Sequence, residues 1–250
     1  VVKIFKQTAT MKNVTTRRKL RLLPTLIAFV AITFAFSACN KDDNDFPNTQ
    51  AAGLMAFNLA PDQNAVSFSI SGNLLTNQPL AFTNFTGAYL SIYPGTRLIE
   101  SKNATSGRQL DSASATFETG KYYSTFLVGA DSVYKNIIVQ DKIDTLTAPN
   151  GQAFIRYVNA ISDPTSPAVN ITANGTSIFN DPAAFGAVSE FKEVTPGSVT
   201  IGVSNEGNIN KTRTIDVTSK KIYTVLLLGK PGVISADSLQ IRFIENGLIN

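Results

Sequence analysis

The sequence predicts an all-β fold, two tandem immunoglobulin-like β-sandwich domains, and three observations carry that prediction. Apolar residues alternate with polar ones over short runs, the period-2 pattern of a strand with one face buried. Clusters of Gly, Pro, Asn and Asp separate the runs, as in "APDQN", "YPG", "SDPTSP" and "TPG". The chain also repeats itself at an offset of about 100 residues, the size of a domain rather than of a solenoid unit.

Taken in order, the first copy opens on "LMAFNLAPDQNAVSFSISG" (54–72) and the second on "FIRYVNAISDPTSPAVNITANG" (154–175). Asn58 then falls opposite Asn159 and Gly72 opposite Gly175, while Ala56 is taken as the counterpart of Arg156. "AFTNF" (81–85) parallels "AFGAV" (184–188). An aromatic stands five residues before a Pro-Gly turn in each copy, Tyr89 before Pro94-Gly95 and Phe191 before Pro196-Gly197. "KYYSTFLVG" (121–129) parallels "KIYTVLLLG" (221–229), aligning Lys121, Tyr123 and Gly129 with Lys221, Tyr223 and Gly229. Alternation puts Val66, Phe68 and Ile70 on one face, and likewise Val199, Ile201 and Val203, and Ile215 with Val217. "YTVLLLG" is apolar on both faces, as a central strand is. With last strands at 134–140 and 238–245, each copy holds about seven strands in about 100 residues, the count of an immunoglobulin-like sandwich. The domains are set at 52–148 and 149–250.

The 250 residues carry a formal net charge of +4, but that charge is unevenly placed. Residues 1–38 hold seven basic residues and no acid, which leaves 15 basic against 18 acidic residues beyond them. The basic balance therefore belongs to the N-terminal segment and gives no support to nucleic-acid binding. There is no histidine, which removes the usual general base, and with one cysteine no ordinary zinc site or intrachain disulfide can be built.

"TTRRKLR" is a charged leader to "LLPTLIAFVAITFAF" (22–36), whose 15 apolar residues are short for a spanning helix and suit a signal-peptide core. The signal peptide is read as 1–38, with Met11 as an alternative start. Cys39 follows at small residues, and 39–51 reads as a polar tether. "FSAC" resembles a bacterial lipobox, although Phe36 departs from the usual leucine. That resemblance makes Cys39 the lipidation site of a lipoprotein, anchored by acyl chains worth ~0.8 kcal/mol per buried methylene. "CNKDD" resembles the surface-export signal of Bacteroidota lipoproteins, matched by Lys41, Asp42 and Asp43. "FIRYVNA", "ANG", the aromatic before Pro-Gly and "YTVLLLG" resemble the domain-of-unknown-function family 4397 in two copies. This family implies a sandwich fold and a cell-envelope setting, with no established activity.

Motifs with chemistry are few. Ser132-x-x-Lys135 and Ser189-x-x-Lys192 spell a serine–lysine acyl-enzyme pair, but residues three apart on a strand face opposite ways. Asp42, Asp43 and Asp45 lack the glycine turn and distal acid of a calcium loop and read as solvated tether. Asp followed by Ser or Thr and an apolar residue occurs at Ser112, Ser132, Thr145 and Ser238. It resembles the O-glycosylation sequon of Bacteroidota exported proteins; an Asx-turn explains the same spelling. Tyr89, Tyr93, Tyr122 and Tyr123 are assigned to the core in preference to a sugar-stacking platform.

These readings converge on a non-enzymatic, outer-membrane lipoprotein, facing the cell exterior, that acts as a binding or structural module. No cofactor or metal is expected. The partners expected are the membrane, through the lipid, and an extracellular glycan or envelope protein, met by loops at the sandwich ends. A carboxylate-based envelope carbohydrate hydrolase and a purely structural stalk are the alternatives. The hydrolase requires two buried carboxylates about 5 to 9 Å apart.

Overall fold

The computed structural model describes residues 51–249. The first copy supplies eight strands: β1 (Ala52–Asn58), β2 (Val66–Ile70), β3 (Asn73–Leu74), β4 (Leu90–Ile92), β5 (Gly95–Asn103), β6 (Gln109–Phe117), β7 (Tyr122–Ala130) and β8 (Val133–Gln140). The second repeats them as β9 (Ala153–Ile161), β10 (Ala168–Ala173), β11 (Thr176–Pro182), β12 (Lys192–Val194), β13 (Gly197–Ser204), β14 (Asn210–Val217), β15 (Lys221–Gly229) and β16 (Gln240–Leu248). Eight strands replace the seven expected because β4 and β12, three residues each, pair with the edges of β1 and β9.

Each copy is a sandwich of two four-stranded sheets with the same strand order. The outer sheets run β3-β2-β5-β6 and β11-β10-β13-β14, the inner sheets β4-β1-β7-β8 and β12-β9-β15-β16. In the inner sheets the opening strand lies parallel to the seventh, β1 on β7 and β9 on β15.

The alternating residues do what their period demands. Val66 and Phe68 meet Leu54, Ile99 and Leu127 in the first sandwich core. Val199, Ile201, Val203, Ile215 and Val217 meet Ile155, Val225 and Leu227 in the second. A third apolar layer lies between the two inner sheets, where Met55, Phe57, Phe126 and Val128 meet Val158, Ala160, Leu226 and Leu228. The described residues, within the unit Thr49–Asn250, are thus stacked four sheets deep. This explains why "YTVLLLG" is apolar on both faces: Val225 and Leu227 fill one core, Leu226 and Leu228 the next.

The aligned residues of the two copies have equivalent jobs. Ser71-Gly72 and Asn174-Gly175 are two-residue hairpin turns with positive φ at both positions, the type I′ geometry. Gly129 and Gly229 have φ +115 and +103, and a Cβ there would lie 2.1 and 2.2 Å from the carbonyls of Val133 and Ser238. Tyr123 accepts the backbone N–H of Glu118, and Tyr223 that of Thr218, both at 3.0 Å, forming the tyrosine corner of Greek-key sandwiches. The buried Asn58 donates to the carbonyls of Gln63 and Leu80 and accepts from the N–H of Ala60. Asn159 repeats this with Ala183, Ala184 and Ile161. An amide carrying both donors and an acceptor satisfies loop backbone that the ladders leave unpaired.

One counterpart differs from the sequence alignment. Asn58 is opposite Leu127 and Asn159 opposite Leu227, so the residue in register with Arg156 is Met55, not Ala56. Met55 and Arg156 both face the layer between the inner sheets; Ala56 faces the first sandwich core.

Candidate functional site

The residues that join the copies form a buried polar node. Arg156 on β9 and Asp141, just past the end of β8, are an ion pair at 2.6 Å with side chains 2% and 0% exposed. Arg156 Nε also donates to Thr224 Oγ1 at 3.0 Å, and Nη2 to Ser124 Oγ at 3.3 Å. Ser124 Oγ donates to the second oxygen of Asp141 at 2.6 Å, and Tyr89 Oη to that same oxygen at 2.5 Å. Thr224 passes its proton donor to Asn246 Oδ1, and Asn246 Nδ2 reaches back to Tyr89. The guanidinium lies over the Phe191 ring, 4.5 Å from its centroid. Ser124 and Thr224 are register counterparts, so each copy offers a hydroxyl and an acceptor, and one arginine bridges them. Burial, and then the charge of Asp141, pushes the Tyr89 hydroxyl well above the ordinary tyrosine range.

The node has the composition of a structural clasp. Asp141 is the one acid in the buried class among the described residues, and it faces an arginine rather than a second carboxylate. The linker between the copies is also packed. Ala148 is buried with Phe154, Ile222 and Ile249, and Ile143, Leu146 and Phe191 lie against them.

The predicted anchor residues, Cys39, Lys41, Asp42 and Asp43, and Asp45 with them, lie outside the described residues. The four hydroxyls of the glycosylation pattern are dispersed. Ser112 is exposed on β6, Ser132 sits in the hairpin turn between β7 and β8, Thr145 lies in a single 3-10 turn (Ile143–Thr145), and Ser238, half-buried, precedes β16. Three of the preceding aspartates are tied to distant groups instead of forming Asx-turns: Asp111 accepts the N–H of Asn136, Asp131 pairs with Lys230 and Asp144 with Lys121. The serine–lysine spellings do not make dyads. Ser189 Oγ accepts the N–H of Tyr157, while Lys192 Nζ donates to the carbonyl of Ile178 and lies over Phe179; Ser132, in the turn, and Lys135, on β8, are both exposed.

The four tyrosines part company. Tyr123 is a core residue, and Tyr89 belongs to the node. Tyr122 is 36% exposed and meets Tyr89 edge to face, and Tyr93 is 72% exposed, so neither fits the core assignment. Tyr93 stands at the mouth of a slot of about 440 Å³ between β3 and β4, the free edges of the first sandwich. Ile70, Leu75, Leu90 and Ile92 line it, with Leu74 67% exposed beside them; Ser71, Asn73, Ser91 and Arg97 supply polar groups. Arg97 donates to the carbonyls of Tyr93 and Pro94, which holds the crossover from β4 to β5 in place. Sequence reading missed this slot because it pairs two strands of two and three residues, too short to show a period.

No curated protein matches the chain. Two solved structures are similar at a low level. One is described as "Alpha-glucan binding by a streptococcal virulence factor", with 10% identity and a TM-score of 0.23 over 74% of this chain and 95% of that one. The other is described as "Alpha-glucan recognition by family 41 carbohydrate-binding modules from streptococcal virulence factors", with 11% identity and a TM-score of 0.22 over 76% of this chain and 96% of that one. Scores this low transfer neither fold nor ligand. The family DUF4397, "Domain of unknown function", matches residues 52–164 and 161–248, one match over each copy. Matched over most of its length in this way, the chain belongs to DUF4397.

Proposed function

We propose that the protein is a non-enzymatic binding module, a lipoprotein held on the outer membrane by lipid on Cys39 and turned to the cell exterior through Lys41, Asp42 and Asp43. The observation that carries the binding reading is the β3–β4 slot. An exposed tyrosine ring beside an apolar floor and a rim of hydroxyl, amide and guanidinium groups suits a sugar. The ring and floor take its C–H face, and the rim takes its hydroxyls. An extracellular glycan is therefore the proposed ligand, and an envelope protein the second candidate. In either case the ligand meets a sheet edge, not the loops at the sandwich ends.

The ligand test is a glycan and protein array probed with the soluble 46–250 fragment and with its Tyr93→Ala variant. A glycan signal reduced at least tenfold by Tyr93→Ala is expected. A glycan signal unaffected by that substitution removes the slot from the reading, and a signal confined to envelope proteins replaces the glycan. The address has its own test. Cys39→Ala should release the protein from membranes, and alanines at Lys41, Asp42 and Asp43 should abolish cleavage by protease applied to intact cells. Retention in the membrane, or unchanged cleavage, overturns the corresponding part.

A further inference from the structure

The second copy carries a different slot on its opposite edge. It lies between β14 and β16, the free edges of the outer and inner sheets, and encloses about 460 Å³. Lys211 and Arg213 from β14 line it, with Arg242 of β16 at its rim and no acid. Arg242 pairs in register with Leu226, on the side of β16 that meets the layer between the inner sheets, and its Nε donates to Gln240 Oε1. Among the described residues none of the three cations has an ion-pair partner. The six ion pairs use Lys102, Lys121, Lys142, Arg156, Lys221 and Lys230. Lys211 and Arg213 also share the face of β14 that further along carries the buried Ile215 and Val217. They therefore occupy inward positions where the sandwich opens.

Arg213 is preorganised. Its Nη1 donates to the carbonyl of Ile241 across the opening at 2.6 Å, and its guanidinium lies 5.1 Å from the centroid of Phe243. Nε and Nη2 have no protein partner, so a fixed fork keeps donors for a ligand. Ser238 adds a hydroxyl to the lining and Leu239 an apolar wall, while the Gln240 amide is taken up by the carbonyl of Ala236 and by Arg242.

The duplication supplies an internal control. By register, Lys211, Arg213 and Arg242 correspond to Asp111, Ala113 and Ile137 of the first copy. The first copy closes the same edge with Asp111 accepting the N–H of Asn136. A cation also stands at that edge, where the Arg108 guanidinium just before β6 lies over the Tyr134 ring of β8, but the positions of Lys211 and Arg213 carry no cation in the first copy. Inward charge also protects an edge strand from pairing with another sheet, but that purpose is served by one residue on β14, and two stand there.

We infer that the β14–β16 slot binds an acidic oligosaccharide through its carboxylate or sulfate groups. The residues beyond Cys39 are net acidic, with 15 basic and 18 acidic residues after position 38. A long polyanion is repelled by that surface, whereas one or two anionic groups seated in the slot are not. A hydroxyl and an apolar wall beside the cations fit a sugar ring better than a phosphodiester backbone. This inference does not depend on the Tyr93 slot.

The test is calorimetric titration of the full chain in nonionic detergent. The probes are a sulfated heparin tetrasaccharide, a tetragalacturonate, a neutral maltotetraose and a twelve-nucleotide single-stranded DNA. Saturable binding of one of the two acidic probes is expected. It should weaken at least tenfold in Lys211→Asp combined with Arg213→Gln, weaken again between 50 and about 300 mM salt, and stay unchanged in Tyr93→Ala. Absence of binding by both acidic sugars overturns the proposal, as does DNA bound as tightly as the acidic sugar or retention of affinity within twofold in the double variant. Loss in Tyr93→Ala alone assigns acidic-sugar binding to the other slot and overturns this one.

Discussion

Arg156→Met is the sharpest perturbation of the fold, because methionine is what the first copy places in the same register, at Met55. The substitution keeps volume and apolar packing in the layer between the inner sheets. What it removes is the one cation paired with Asp141 among the described residues, and the Asp141 side chain is fully buried. Removing one partner of a buried pair costs about 3 to 5 kcal/mol, since the remaining charge stays desolvated. For a folded unit of this size, 1 kcal/mol moves the midpoint by about 2 to 4 °C, so the expected loss is about 6 to 20 °C. The assay is thermal and urea unfolding of the 46–250 fragment. A second variant, Arg156→Met with Asp141→Leu, should recover most of the loss, because an apolar replacement of a buried ion pair is often neutral. A single variant within about 1 kcal/mol of the parent refutes the reasoning. So does a double variant whose loss equals the sum of the two single losses, since that shows the pair is not coupled.

Three further outcomes follow from comparing the copies. Thr125 Oγ1 and both side-chain atoms of Asn136 are buried without a partner, and their register counterparts are Val225 and Ile241; Thr125→Val and Asn136→Ile should each stabilise by about 1 to 3 kcal/mol in urea titrations. Gly229→Ala should destabilise by more than about 1 kcal/mol in the same titration, because its Cβ would meet the Ser238 carbonyl at 2.2 Å while φ stays at +103. Tyr89→Phe deletes a hydrogen bond to a buried carboxylate and should cost about 1.5 to 3 kcal/mol at pH 7. With its folded pKa raised, Tyr89 contributes stability that is complete below the unfolded value of about 10 and lost as pH climbs above it. The variant should therefore show a shallower fall in melting temperature between pH 9.5 and 11.5; an unchanged slope counts against the assignment.

What could be read from the residues depended on how local the signal was. Alternation in "SVTIGVS" and "RTIDVTS" located buried faces correctly because one face of each outer strand meets a core and the other meets water. The paired hairpin glycines were legible because their cause lies within a few residues of chain; Tyr123 and Tyr223 stood out only as a repeat match, and their corner bonds to Glu118 and Thr218 came from the structure. The layer between the copies was not legible. A strand apolar on both faces announces two neighbours without naming them, so "YTVLLLG" was read as a central strand while its second partner stayed open. The Arg156–Asp141 pair joins residues on either side of a linker whose packing no periodicity reports. The misplaced counterpart of Arg156 has the same root. Loop lengths differ between the copies, so a fixed offset slips by one, and on a strand a slip of one exchanges the faces.

The clasp also decides what the duplication achieves. Apolar layers tolerate sliding, since Leu against Phe is satisfied in several registers, whereas a buried guanidinium is satisfied only where its acceptors are. Arg156 takes Thr224 from its own copy and Ser124 and Asp141 from the other, and Tyr89 ties Asp141 to Asn246. A shift of one residue along either inner sheet would leave charge unpaired in a dry layer. The pair thus acts against alternative dockings more than it adds stability, the use best attested for buried polar groups. Two copies fixed in this way have been free to diverge at their edges, one toward an aromatic slot and the other toward a cationic one. A ligand that engages both gains the effective concentration of a rigid link instead of that of a flexible one.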